Sequence, residues 1–423
     1  MTVPTSDAPP TYLFGRRDRG CLMLGLRVSQ LLVLGLGAAA VLTGLLVAGG
    51  RGGLVGVLVC AGAGVTALLP VQGRPLIDWA RPVTNYLHMR VTGRGRYIGG
   101  PRALHRCRAV PRLELPGLGQ QLRVLEVFTS RGPIAVLRLR DRWTVVLQVC
   151  GSNYVLADRA TQERRVASWG ALLSQCGQEG SHISALQWLE RTVPDSGQAL
   201  EEWWAGHGDH QAPYADAYRE LISDAGPTAT RHEAFVAMSI DGHRMRRAIR
   251  QVGGGPEGAT KVLLTELSWI RQTLARADIE VMGEVGPRDL CRIVRTQFDP
   301  TSTSTIDRTP GRRTEAFSPV AAGPMASEAT WSRYRSDTGV HAVYWIAEWP
   351  SIPVEAAWCY PLLALGGIRR TVSVTARPIP PSKSLREVRS QRVTKRADDV
   401  TAPSFGSGGD RAGRRRGRLT GAS

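Results

Sequence analysis

Three stretches of this sequence carry residue types at spacings that chemistry uses. Gly253-Gly254-Gly255-Pro256-Glu257-Gly258-Ala259-Thr260-Lys261 precedes a helical pattern, as a phosphate-cradling loop does. A P-loop puts its lysine directly after the second glycine, so that the ammonium reaches the phosphates. Here Ala259 follows Gly258, and no apolar strand ending in Asp follows to hold magnesium, so the glycines read as helix punctuation. His207-Gly208-Asp209-His210 sets two imidazoles close together. The spacing matches neither HExxH nor half a zinc finger, and the glycine points to a surface turn. Ser, His and Asp occur without the G-x-S-x-G elbow that presents a nucleophile. These readings predict no catalytic, cofactor or metal residues, no small-molecule substrate and a structural, non-enzymatic role.

The charge balance points elsewhere. A formal net charge of +18 and a sequence pI near 10.4 favour acidic partners: anionic lipid, nucleic acid or an acidic protein face. Arg414, Arg415 and Arg416 concentrate that charge near the C-terminus as a candidate basic surface, with anionic lipid the nearer partner and nucleic acid the other. The seven cysteines are scattered without a CxxC pair, which argues against a disulfide framework.

Val28 to Ala48 runs about twenty residues without a charge, the length a helix needs to cross a bilayer. After Gly49-Gly50-Arg51-Gly52-Gly53, a second apolar run extends from Leu54 to Val71, and the two together predict a transmembrane hairpin. Small residues one turn apart, Gly35, Ala39 and Thr43 on the first run and Gly56, Cys60, Gly64 and Leu68 on the second, suit close backbone approach in lipid. Arg16, Arg17, Arg19 and Arg27 precede the hairpin and Arg74, Arg81, Arg90, Arg94 and Arg96 follow it, so both termini are expected in the cytoplasm of a multi-pass inner-membrane protein. A cleavable signal peptide is the rival, but the first run is longer than an h-region and a second follows at once. Residues 72–100, with Trp79 and Tyr86 among arginines, read as an interfacial connector.

Beyond Gly100 the apolar period shortens. Leu122–Phe128, Ile134–Leu139 and Trp143–Val149 predict an antiparallel meander, followed by a helix capped by Asp158, a strand over His182–Val193 and two short helices. Gly226-Pro227 marks a boundary, giving a first α+β domain over residues 101–226 and a second over 227–399. The second holds a strand at Glu233–Ile240, a basic helix at Arg244–Val252, an apolar helix around Leu263, Leu267, Ile270 and Leu274, and a polar insert over 299–324. It continues with strands Ala329–Tyr334 and His341–Ala347, a short apolar helix at Val354–Leu365 and a strand at Thr371–Ala376; Ser384-x-x-Glu387 then resembles a capping box that opens a last basic helix, and residues 400–423 read as a disordered basic tail. The fold class expected is a membrane-anchored α+β protein: a two-helix transmembrane hairpin followed by two cytosolic α+β units of mixed antiparallel sheets covered by helices.

Tyr12-Leu-Phe-Gly15, Arg74-Pro-Leu-Ile-Asp-Trp79, Arg246-Arg-Ala-Ile-Arg250 and Tyr344-Trp-Ile-Ala-Glu-Trp-Pro350 resemble a family of actinobacterial integral membrane proteins. Gly323-Pro324, Thr330-Trp331, Tyr334-Arg335 and Arg370-Thr-Val-Ser-Val374 extend the resemblance over about Tyr12 to Arg389. The family is associated with conjugation-type ATPases, which implies a structural part in a type IV-like secretion or conjugation apparatus. The layout is also similar to EccE of type VII secretion. Family members usually continue past the last basic helix, so against the resemblance the Arg/Gly ending here reads as that of a shortened or frame-shifted copy. The partners implied are other secretion-apparatus membrane proteins and a secretion ATPase, with Trp331, Tyr334, Tyr344, Trp345 and Trp349 the candidate contact residues. A membrane-tethered nucleic-acid-binding protein using the basic helix and tail is the alternative.

Overall fold

The computed structural model describes residues 11–14, 21–23, 26–71, 74–99, 112–151, 153–195, 197–225, 230–307, 322–346, 349–350, 352–365, 368–382, 384–386 and 389. The chain divides into two compact units, Met1–Gly15 with Asn85–Pro378, and Arg16–Thr84 with Ile379–Ser423.

The strand β1 (Thr11–Tyr12) belongs to the first unit. In the second, the small ladders β2 (Cys21–Met23) with β3 (Leu26–Arg27), and β4 (Pro70–Val71) with β5 (Arg74–Pro75), flank the helical element α1 (Val28–Leu68). By length and composition α1 can cross a membrane. Most of its leucines, Leu32, Leu36, Leu46 and Leu58 among them, are exposed. The helix breaks at Ala48 (φ −128°, ψ 18°) and Gly49 (φ 56°, ψ −140°), the latter a conformation that glycine adopts without a Cβ clash. Across the break, a Cβ on Gly37 would stand 2.9 Å from the Ala63 Cβ, and one on Gly56 only 2.6 Å from the Val41 Cα. Gln30 Nε2 donates to the Ala67 carbonyl at 2.7 Å. The expected stripe is displaced: Gly35 and Gly64 face open space, and the approach is made by Gly37 and Gly44 on one side and Gly52, Gly56, Cys60 and Ala63 on the other.

The helix α2 (Ile77–Val91), with Pro82 inside it and no buried residue, occupies the expected connector. Next come β6 (Arg96–Ile98) and, within the described residues, an eight-stranded antiparallel sheet. The sheet starts with β7 (Arg112–Leu115), β8 (Gly119–Thr129), β9 (Gly132–Leu139) and β10 (Arg142–Gly151), which contain the expected meander. The helix α3 (Arg159–Cys176) begins where the Asp158 carboxylate accepts from the Thr161 N–H at 2.9 Å and leads to β11 (Ile183–Pro194). After α4 (Gln198–His207) and α5 (Ala215–Ala225) the chain returns as β12 (Thr230–Asp241), then α6 (Gly242–Gln251), α7 (Gly255–Arg276), β13 (Ile279–Glu284) and α8 (Pro287–Phe298).

The pairing corrects the expected boundary at residue 226. β12 lies between β11 and β10, and β10 lies between β12 and β13. Each half, β10-α3-β11 and β12-α7-β13, leaves a gap between its two parallel strands that a strand of the other half fills, the split βαβ arrangement. One sheet therefore runs through both expected domains. Alternation along β12 directs Val236, Met238 and Ile240 to a core with Leu263, Ile270 and Leu274 of α7 and Leu172 of α3. Phe235 faces the opposite core with Leu290 and Cys291 of α8.

On that second face Arg191 and Glu233, directly paired across β11 and β12, are 2% and 4% exposed. Arg191 Nε donates to Glu233 Oε2 at 2.8 Å, and Nη1 donates to the Ile293 carbonyl at 2.9 Å and to Thr296 at 3.1 Å. Arg191 Nη2 lies 2.6 Å from Glu233 Oε2, off the line of a hydrogen bond. Arg231 and Arg292 approach Oε1 at 2.9 and 3.4 Å. Burial pushes the Glu233 carboxyl up, but Arg191 and Arg292 outweigh it and hold it below the ordinary glutamate value.

Candidate interaction surface

After α9 (Ser302–Asp307), the strands β14 (Ala326–Ala329), β15 (Tyr334–Ser336) and β16 (Gly339–His341) join β6 in a small antiparallel sheet of order β16-β15-β14-β6. Asp337-Thr338-Gly339 supplies the expected hairpin turn, with Asp337 at φ 43°. The strands it joins differ from those expected: residues 330–333 and 342–346 lie outside any strand. Polar ties bind this hairpin to the end of α8. Arg295 pairs with Asp337 at 2.9 Å through Nη1 and with Asp299 at 2.9 Å through Nη2. Asp299 also accepts from Thr338 at 2.5 Å and Thr301 at 2.8 Å. Burial pushes the Asp299 carboxyl up, and the hydrogen bonds from Thr338 and Thr301, with Arg295, more than reverse that.

Ser336 and His341 stand 2.7 Å apart, Oγ to Nε2. The fully buried Ser336 gives its only proton to the Phe298 carbonyl at 2.7 Å, so the imidazole must donate to the hydroxyl. That polarity is opposite to the one that activates a nucleophile.

The five aromatic residues singled out from the sequence do not form one surface. Tyr334 turns inward against Phe298 and His341, with its hydroxyl buried. Trp331 packs edge-on against Tyr86 of α2 at 5.2 Å. Trp349 stacks on Phe14 at 5.2 Å, and Trp358 meets both rings edge-on at 5.5 and 5.9 Å. Tyr344 and Trp345 are 90% and 64% exposed, beside Val343 at 90%. Sequence reasoning missed Phe14 and Trp358. The strand β17 (Val354–Glu355), which pairs with β1 and carries Phe14 into the cluster, is too short to show a period. The expected helix over Val354–Leu365 shrinks to α10 (Tyr360–Leu363), and the last strand of the large sheet, β18 (Thr371–Ala376), has the expected bounds.

Most apolar side chains of the connecting segment stay in solvent: Ile346, Ile352, Tyr360, Leu362, Leu365 and Ile368 are exposed along with Val343, Tyr344 and Trp345. Exposed apolar side chains in this number make the segment the candidate interaction surface.

The other motifs behave as local structure. Gly253, Gly254 and Gly255 all have positive φ, and the Gly254 N–H donates to the Ile249 carbonyl, so the glycines join α6 to α7. His207 and His210 lie 3.1 and 3.3 Å from the Trp203 and Ala205 carbonyls. Among the described residues no group of three His, Cys, Asp or Glu is placed to hold a metal ion. Arg414, Arg415, Arg416 and the tail lie outside the described residues, as does most of the basic helix expected after Ser384. No family model, curated protein or solved structure matches this chain.

Proposed function

We propose that this chain is a non-enzymatic, membrane-anchored subunit of a bacterial envelope export machine. In this reading α1 folds back at Ala48–Gly49 as a two-helix transmembrane hairpin, and the α+β unit and both termini are cytoplasmic. One observation carries the anchoring: Thr11–Phe14, ahead of α1, and Tyr86–Ile98, beyond it, both build into the same compact unit. A single crossing would leave these two flanks on opposite faces of the bilayer. An even number of crossings brings them together, and the break at Ala48–Gly49 with the approach of Gly37 to Ala63 supports a turn there. The arginines flanking α1 favour the cytoplasmic side.

The export role rests on the motif resemblance to conjugation-associated and EccE-like membrane proteins, and it names a secretion ATPase and neighbouring membrane subunits as partners. Affinity purification from detergent-solubilised membranes is expected to bring down an ATPase of that class. Recovery of the full-length chain in the soluble fraction overturns the anchoring, and purification from membranes without any envelope ATPase overturns the export role.

A second reading, a membrane-tethered nucleic-acid-binding protein, is favoured by α6, where Arg244, Arg246, Arg247 and Arg250 are all exposed. It requires DNA binding that weakens steeply with salt.

A further inference from the structure

We infer that the exposed aromatic and aliphatic side chains described between Val343 and Ile368 form a second membrane contact, docking into the headgroup layer of an anionic bilayer. The inference rests on the anchoring just proposed and adds a surface to it.

Three observations favour lipid as the occupant. The chain itself limits how far this segment can stand from a membrane. Phe14 is held in the Trp349–Trp358 cluster, and the stretch from Phe14 to the start of α1 at Val28 reaches at most about 50 Å when extended. On the other flank, Tyr86 packs on Trp331 and β6 pairs with β14, so the chain leaving α1 is built into the small sheet whose strand β16 ends at His341, just ahead of the segment. The composition is that of an interfacial belt, with Tyr344, Trp345, Trp349 and Tyr360, whose rings have an apolar body and a polar edge, set among exposed aliphatics. The charge at its borders is complementary to anionic lipid: Arg333, Arg335, Arg369 and Arg377 are exposed, against the exposed carboxylates of Glu355 and of Glu328, the latter paired with Arg96.

The test uses the full-length chain in phosphatidylglycerol–phosphatidylcholine proteoliposomes, with bimane on Tyr344→Cys and the signal of the unsubstituted chain subtracted. Lipids brominated near the carbonyls, about 5–10 Å below the surface, are expected to remove about half of the emission, and aqueous iodide little. A label quenched by iodide and untouched by brominated lipid overturns the inference, as does one shielded from both, the mark of a protein cover. The same label on Leu36→Cys separates the two levels of the argument. If lipid brominated deep in the acyl chains quenches Leu36→Cys while lipid brominated near the carbonyls leaves Tyr344→Cys untouched, the docking fails and the anchor stands; if the deep-brominated lipid leaves Leu36→Cys untouched, the anchoring fails and the docking with it.

Discussion

Two leucine-rich helices of this molecule meet opposite surroundings. In α7, Leu263, Leu267, Ile270 and Leu274 recur at helical spacing between charged residues and are buried against the sheet. In α1 the leucines run all round the helix, and Leu36, Leu46 and Leu58 are exposed. One pattern selects a single buried stripe and the other a whole apolar cylinder, so the arrangement of the side chains decides whether a protein core or a lipid bilayer is the solvent. The aromatic segment is a third case. It is apolar and exposed without being long enough to span, which suits a boundary between the two.

The contrast sharpens first at the buried ion pair, where the largest effect is expected. Glu233→Gln strands Arg191 without a counter-charge and should lower unfolding stability by about 3–5 kcal/mol in urea titrations of the detergent-solubilised chain. A loss near zero would mean that Ile293 and Thr296 satisfy the guanidinium on their own. The pair also sets an acid limb. The folded-state pKa values of Glu233 and Asp299 lie below their ordinary values of 4.5 and 3.8, so the unfolded chain takes up protons first as the pH falls. Their stabilisation is whole above those values and drains away below them. Glu233→Gln should flatten the pH dependence of the unfolding midpoint on the acid side, and an unchanged limb would move the effect to other carboxylates.

Leu263→Ala should cost about 2–5 kcal/mol, as a cavity in a packed core does. Gly56→Leu, which drives a side chain into the Val41 backbone, should cost about 1–3 kcal/mol of packing within α1. It is read as a lengthening of the distance between spin labels on Leu36→Cys and Leu58→Cys, exposed positions on either side of the break. An unbroken helix would hold the two Cα atoms about 33 Å apart, so a distance of that size in the parent chain would remove the fold-back. Smallest of all, Leu46→Ala should change urea unfolding of the sheet unit by less than about 0.5 kcal/mol, because its side chain is 85% exposed. A large effect there would break the distinction between the two apolar helices.

What could be read from the sequence was what is local. The Asp158 cap, the meander, the α7 stripe and β18 each carry their signal within a dozen or so residues. The single sheet was hidden because β12 slots between β10 and β11, a choice made by long-range pairing that periodicity does not encode. Nothing local marks Arg191 as buried, because its partner Glu233 lies directly across from it on another strand. Of the candidate surface, Tyr344 and Trp345 were named by residue type. Phe14 and Trp358 were not, because their meeting depends on β1 and β17, two-residue strands separated by most of the chain.

The account stands on both flanks of α1 lying on one side of the membrane, and labelling with a membrane-impermeant maleimide at Leu13→Cys and Leu87→Cys tests that most directly. Both positions are exposed. The account predicts that both react in inverted membrane vesicles and neither in intact cells; reaction of the two from opposite sides would contradict it.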